Sequence, residues 1–206
     1  MFALVESGSI TRMLNGNRGI TVDGVQHPRT IFTLWTEAER NAIGIYAVEI
    51  DESKKKDKKW YINTNITYAF DGSKVTGSYG DATAKAHADT LWTEQDKTDG
   101  DIPEGKDVGD VAVEGLKTIL IRQIKSQAKS ELDITDWYIT RKAEKDTAIP
   151  SSITTHRDAV RAKQAEMETA ITNASDTPAL ETLYTYTEQE DGSVTRPLGE
   201  LPTLED

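Results

Sequence analysis

The hydrophobic period of this sequence changes once, near residue 81. Before that point, apolar and β-branched residues come in short runs separated by turn signals. After it, they recur at three- and four-residue steps. A period near two suits strands and one near 3.6 suits helices, so the two halves cannot share one architecture. The fold class this predicts is α+β: a small β-rich N-terminal domain, then a helical-hairpin C-terminal domain and an extended acidic tail.

The first 80 residues supply the strands. Residues 2–5 (FALV) and 20–22 (ITV) are strand candidates, and Asp23-Gly24 between Val22 and Val25 is a hairpin signal. Thr36-Glu37-Ala38-Glu39 has the form of a capping box, predicting a short helix near 36–42 that gives way to a strand over 43–50. A second hairpin is expected from residues 60–70, the turn Asp71-Gly72, and residues 74–79. Gly77-Ser78-Tyr79-Gly80 closes a hairpin in this reading. Thr, Tyr, Trp and Ile dominate the region because branched and aromatic side chains fit a pleated, half-buried surface.

Beyond residue 81, Ala82, Ala84, Ala86, Ala88 and Leu91 are read as one Ala-rich helix. Val113, Leu116, Leu120, Ile124, Ala128 and Leu132 form an apolar stripe on a second helix. Pro150-Ser151-Ser152 begins another, carrying Ile153, Val160, Met167, Ile171 and Ala174. Two amphipathic helices of roughly twenty residues each, joined through Pro150, predict an antiparallel α-hairpin.

Charge marks the boundaries. Residues 94–110 carry seven acids against two lysines, and residues 176–206 carry eight acids against Arg196. Runs of one sign are usually solvated linkers or tails, so the expected organisation has four parts. They are a β-rich domain over 1–80, an Ala-rich helix and acidic linker over 81–107, a helical-hairpin domain over 108–186, and an extended tail over 187–206.

Several functions are disfavoured by composition. The net charge of −11 over 206 residues argues against nucleic-acid binding, which rests on clustered Lys and Arg. No stretch approaches the roughly 18–20 apolar residues of a membrane span, and no basic-then-apolar secretion signal is read at the N-terminus. The absence of cysteine removes disulfides, thiolate metal sites and a Cys nucleophile. His27, His87 and His156 are too scattered for a metal motif, and neither a phosphate-binding glycine loop nor a Gly-x-Ser-x-Gly elbow occurs. The run Asp96-Lys97-Thr98-Asp99-Gly100-Asp101 puts Gly at position five, out of register for an EF-hand calcium loop. No catalytic residue, cofactor or metal is therefore expected. The lysine cluster at 54–59 reads as a solubilising loop that guards an edge strand. Among the four tryptophans, Trp35 and Trp60 are expected to be mainly core.

One stretch is more specific. Leu132-Asp133-Ile134-Thr135-Asp136-Trp137-Tyr138-Ile139-Thr140-Arg141-Lys142-Ala143-Glu144 is followed by Ala148-Ile149-Pro150, then by His156-Arg157-Asp158-Ala159-Val160-Arg161. It resembles a C-terminal module of tailed-bacteriophage tail and fibre-associated proteins, in which Thr-Asp-Trp precedes a Pro-containing turn and an Arg-x-x-x-Arg helix. The resemblance covers about residues 115–183. Residues 35–45, Trp-Thr-x-x-Glu-Arg-x-x-x-Ile-Gly-Ile in pattern, are similar to other tail-gene products.

The resemblance implies a non-enzymatic, architectural role in the virion tail for a chain made in the host cytoplasm. Its implied partners are other tail or baseplate proteins, with multiple copies in a symmetric ring and neither nucleic acid nor membrane. The alternative is a tail or tail-fibre assembly chaperone that leaves before the particle is complete. A hydrolase using Asp99 and Asp101 is a third reading, with nothing to orient the two carboxylates.

Four residues are singled out as partner-binding or architectural: Asp136, Trp137, Arg157 and Arg161. Thr135 is expected to cap a helix, placing Trp137 against the preceding helix. Arg157 and Arg161 lie four apart, on one helix face, and one of them is expected to pair with Asp136.

Overall fold

In the N-terminal half, β1 (Phe2–Glu6) is buried on both sides because its residues alternate between two apolar clusters. Leu4 joins Ile20, Val22, Ile31, Phe32 and Ile45 on one side. Ala3 and Val5 join Val75 on the other, with Ile10, Met13, Tyr46, Val48 and Phe70 packed against them. A strand flanked by two cores reads as a continuous apolar run, which is why residues 2–5 lack polar alternation.

Around β1 the computed structural model, which describes residues 1–204, builds a five-stranded sheet. Its members are β2 (Ser9–Leu14), β5 (Ile45–Asp51), β7 (Thr67–Phe70) and β8 (Val75–Ser78), in the order β2-β1-β5-β8-β7. β5 and β8 run parallel and the other neighbours antiparallel. The edge strands β2 and β7 approach each other, so the sheet curls into a half-barrel around the Ala3–Val5–Val75 cluster.

The hairpin β3 (Ile20–Val22) and β4 (Val25–His27) turns at Asp23 and Gly24, both with positive φ (49° and 78°), the geometry of a tight type I′ connection. α1 (Ile31–Leu34) covers the Leu4 side of the sheet, and α2 (Glu37–Asn41) begins at Thr36 with both capping-box bonds made. The arm expected over 60–70 breaks into β6 (Tyr61–Ile62) and β7, of which only β7 pairs with β8, and Gly77 and Ser78 lie within β8 rather than closing a hairpin.

The contacts divide the chain into two units, Met1–Thr83 and Ala84–Asp206. β9 (Thr83–Ala84) stands at the division, three residues beyond the expected boundary at 80. The second unit opens with β10 (Thr90–Leu91), α3 (Glu94–Asp99) and β11 (Val111–Val113). Its frame is α4 (Leu116–Asp133), α5 (Asp136–Lys145) and α6 (Ser151–Asn173), followed by α7 (Thr177–Tyr184), β12 (Thr187–Glu188) and β13 (Val194–Thr195).

α4 and α6 form the antiparallel hairpin. Lys117 near the start of α4 donates to the Thr172 carbonyl at the end of α6, while Leu132 at the end of α4 meets Arg157 near the start of α6. Leu116, Leu120, Ile124 and Ala128 on α4 and Ile153, Val160, Met167 and Ile171 on α6 are buried, but Val113, expected on the first stripe, lies in β11 and is 64% exposed. No helix among the described residues is long and apolar enough to cross a membrane.

Three expectations require correction. The Ala-rich helix does not form. Its alanines are spaced by two, a strand period, and the segment spends its polar groups on the start of α4. The Ala86 and His87 carbonyls accept from Leu116 N–H and Lys117 N–H (both 3.0 Å), and the Asp89 carboxylate accepts from Gly115 N–H (2.6 Å) and the Thr118 hydroxyl (2.8 Å). These bonds satisfy donors that a helix N-terminus leaves open.

Nor is the acidic run a linker between units. It is an excursion inside the second unit between the paired strands β10 and β11, carrying α3 with its own Thr93–Asp96 capping box.

The C-terminal segment, finally, is not an extended tail as far as residue 204. β12 and β13 pair, Leu198 is buried with its N–H on the Leu183 carbonyl (3.0 Å), and the Arg196 guanidinium lies 5.2 Å from the rings of both Tyr184 and Tyr186. Leu198 and Arg196 thus tie the acidic strip to α7 and Tyr186. Residues 205 and 206 of the expected tail lie outside the described residues.

Candidate architectural site

α4 and α5 are nearly one helix, interrupted only by Ile134 and Thr135. The interruption exposes carbonyls at the end of α4 and brings Asp136 to the first turn of α5. Both features attract a cation, by the dipole of a helix C-terminus and by plain charge.

Arg157 of α6 supplies it. Its Nη1 donates to the Leu132 carbonyl (2.8 Å), the Thr135 hydroxyl (2.7 Å) and Asp136 Oδ1 (2.8 Å). Two N–H groups thus serve three oxygens, sharing their donors. The Thr135 hydroxyl in turn donates to the Leu132 carbonyl (3.0 Å), which closes the network. Arg157 is 8% exposed and Thr135 fully buried, whereas the Asp136 side chain is 56% exposed. The network fixes where the chain leaves α4, enters α5 and returns through α6.

Of the two candidate arginines, then, Arg157 meets Asp136. Arg161 points outward, 53% exposed, with an ion pair to Asp158 at 3.3 Å. Four residues on a 3.6-period helix leave about 40° of rotation, enough to separate a buried from an exposed position.

Thr135 is not the cap expected of it: its hydroxyl makes no capping bond and serves the arginine instead. Trp137 does not pack back on α4. It is 52% exposed, its ring centroid 3.8 Å from that of Tyr138, and the Arg141 guanidinium lies 4.7 Å and 5.2 Å from the two rings. Ile134, 57% exposed, precedes them at the same spacing. Residues 137, 138 and 141 share one face of α5, an aromatic-and-cationic strip that Ile134 precedes across the break.

Sequence reasoning missed a second feature, in the first unit. Lys56 and Lys59 lie over the rings of Tyr61 and Trp60 (both 4.4 Å), and Lys55 lies 5.7 Å from that of Tyr79. The aromatics follow the lysines in sequence, so no interleaving pattern announced the stacking. Trp60 is buried and Trp35 is packed at the margin of the Leu4 cluster, in agreement with their expected core role.

The remaining candidates stay apart. Asp99 is held on the surface of α3, accepting from the Gln95 amide (2.9 Å and 3.0 Å). Among the described residues, no three His, Asp or Glu side chains are grouped as metal ligands. His156 is buried, although nothing in its surroundings in the sequence marked it so.

Compared with family models, with curated proteins and with solved structures, the chain has no significant match.

Proposed function

We propose that this chain is a structural component of a bacteriophage tail or baseplate, an adaptor attaching fibres or other tail parts through protein–protein contacts. Support comes from the resemblance of residues 132–161 to the tail-associated module. The observation that carries the reading is what those residues do together. Arg157 bonds Thr135 and Asp136 where α5 begins, and Trp137 stands exposed on α5, stacked with the half-buried Tyr138 and Arg141. Tryptophan, tyrosine and arginine are the side chains most enriched where binding energy concentrates at protein interfaces.

Quantitative mass spectrometry of gradient-purified particles of the encoding virus tests the proposal. A fixed copy number relative to the major tail protein is the expected result. Abundance in infected lysate with absence from particles would replace it with the assembly-chaperone reading.

A further inference from the structure

A shallow groove of about 720 Å³ runs along one face of α6, with Leu132 of α4 also lining it. Arg161, Gln164, Ala165, Glu168 and Thr172 line it, all within the second unit. These positions recur at three- and four-residue steps, so the groove follows one helix face for nearly the whole second half of α6. Ala165 at its middle is exposed and carries no atom beyond Cβ, so another backbone can approach closely there.

The charges in the groove are arranged symmetrically about the Gln164–Ala165 step. Arg161 and Glu168 are seven residues apart, about 10.5 Å along the axis, with Gln164 and Ala165 at the midpoint. Neither is saturated inside its own chain. Arg161 has one ion pair, with exposed Asp158 at 3.3 Å, and Glu168 holds Gln164 Nε2 at 2.8 Å and Lys125 Nζ at 3.5 Å. A second copy of the helix, laid antiparallel about the midpoint, sets Arg161 opposite Glu168 and Glu168 opposite Arg161. That is the self-complementarity of a two-fold, isologous contact.

We infer that the α6 groove is occupied by the α6 of a second copy of this chain, joining two α4–α6 hairpins into a four-helix arrangement through reciprocal Arg161–Glu168 pairs. The contact holds whether or not the chain enters a virion. A two-fold dimer is a building block distinct from the ring expected in the particle, and a ring can be assembled from such dimers.

The charge pattern supplies its own test, by sedimentation or light scattering of the full chain over a concentration series. Wild type is expected at twice the 22.8 kDa chain mass. Arg161→Glu and Glu168→Arg variants, which place like charges opposite each other, are expected to remain monomeric separately. Mixed in equal amounts they are expected to form a heterodimer, because the two substitutions complement across the interface. Ala165→Arg changes an exposed position at the midpoint and is expected to be monomeric with an unaltered circular dichroism spectrum. A wild-type monomer throughout, an Ala165→Arg dimer, or a mixture that stays monomeric would overturn the inference.

Discussion

At the scale of single residues, Arg157 organises the second unit. A buried guanidinium needs its charge answered, and Asp136 answers it from the edge of the solvent. Replacing Asp136 with Ala is expected to cost about 2 kcal/mol, less than breaking a fully buried pair because the carboxylate is half-exposed. In a double-mutant cycle monitored by urea denaturation, Asp136 and Arg157 are expected to couple by about 1 kcal/mol. Asp136 and Arg161 are expected to show no coupling. Equal coupling of both arginines would contradict the assignment.

A second residue has a defined acid response. In the β7–β8 turn, backbone N–H groups of Lys74 and Ser73, and the Ser73 hydroxyl, hold the Asp71 carboxyl down from 3.8 to about 2. A carboxyl lowered by folding stabilises the protein above its unfolded value and loses that contribution as pH falls through its folded one. The turn is therefore expected to weaken between about pH 4 and pH 2, with the Asp71 side-chain carbon signal in NMR titrating near the lower value. A midpoint near 3.8 would show that the turn bonds do not form in solution.

At the scale of elements, the sequence was legible wherever a local rule decided the outcome. Asp23-Gly24, the Thr36 capping box and the two helical stripes declared themselves because turns, caps and amphipathic faces are written in neighbouring residues. The pairing of Asp136 with one of the two arginines was also legible; which arginine it was depended on the rotation of α6 against the α4–α5 break.

Residues 84–91 were illegible for the opposite reason: their role is set by Gly115 and Thr118, some thirty positions away. The close approach can be tested at Gly115, where a Cβ would stand 2.3 Å from the Ala88 carbonyl carbon and oxygen. Gly115→Ala is expected to destabilise the chain by more than about 1 kcal/mol, because backbone must move to admit the methyl group. The cap of α7 is an independent case. Asp176 accepts from Ala179 N–H at 2.8 Å, and Asp176→Ala is expected to cost about 1 kcal/mol in the same denaturation experiment.

At the scale of the whole molecule, charge runs misled where shape did not. The acidic stretches 94–107 and 187–204 look like solvated connections, yet each is folded within the second unit by a few specific contacts. α3 and the β10–β11 pair hold the first, and Leu198 and Arg196 hold the second. Hydropathy and net charge average over such segments and cannot register one buried leucine.

The face of α5 was legible in part. The sequence singles out Trp137 as partner-binding or architectural but sets it against the preceding helix, whereas the structure leaves it 52% exposed. The proposal is that the junction presents that face to another protein.

The most direct test is incorporation of a Trp137→Ala/Arg141→Ala chain into particles, measured by mass spectrometry against the major tail protein in a virus lacking the wild-type copy. The variant is expected to fold, with a melting temperature close to wild type because neither side chain is buried, and to fall at least about tenfold in copy number, the consequence of losing two interface side chains worth about 1.4 kcal/mol or more together. Incorporation at the wild-type level would contradict the assignment of α5 as the docking face.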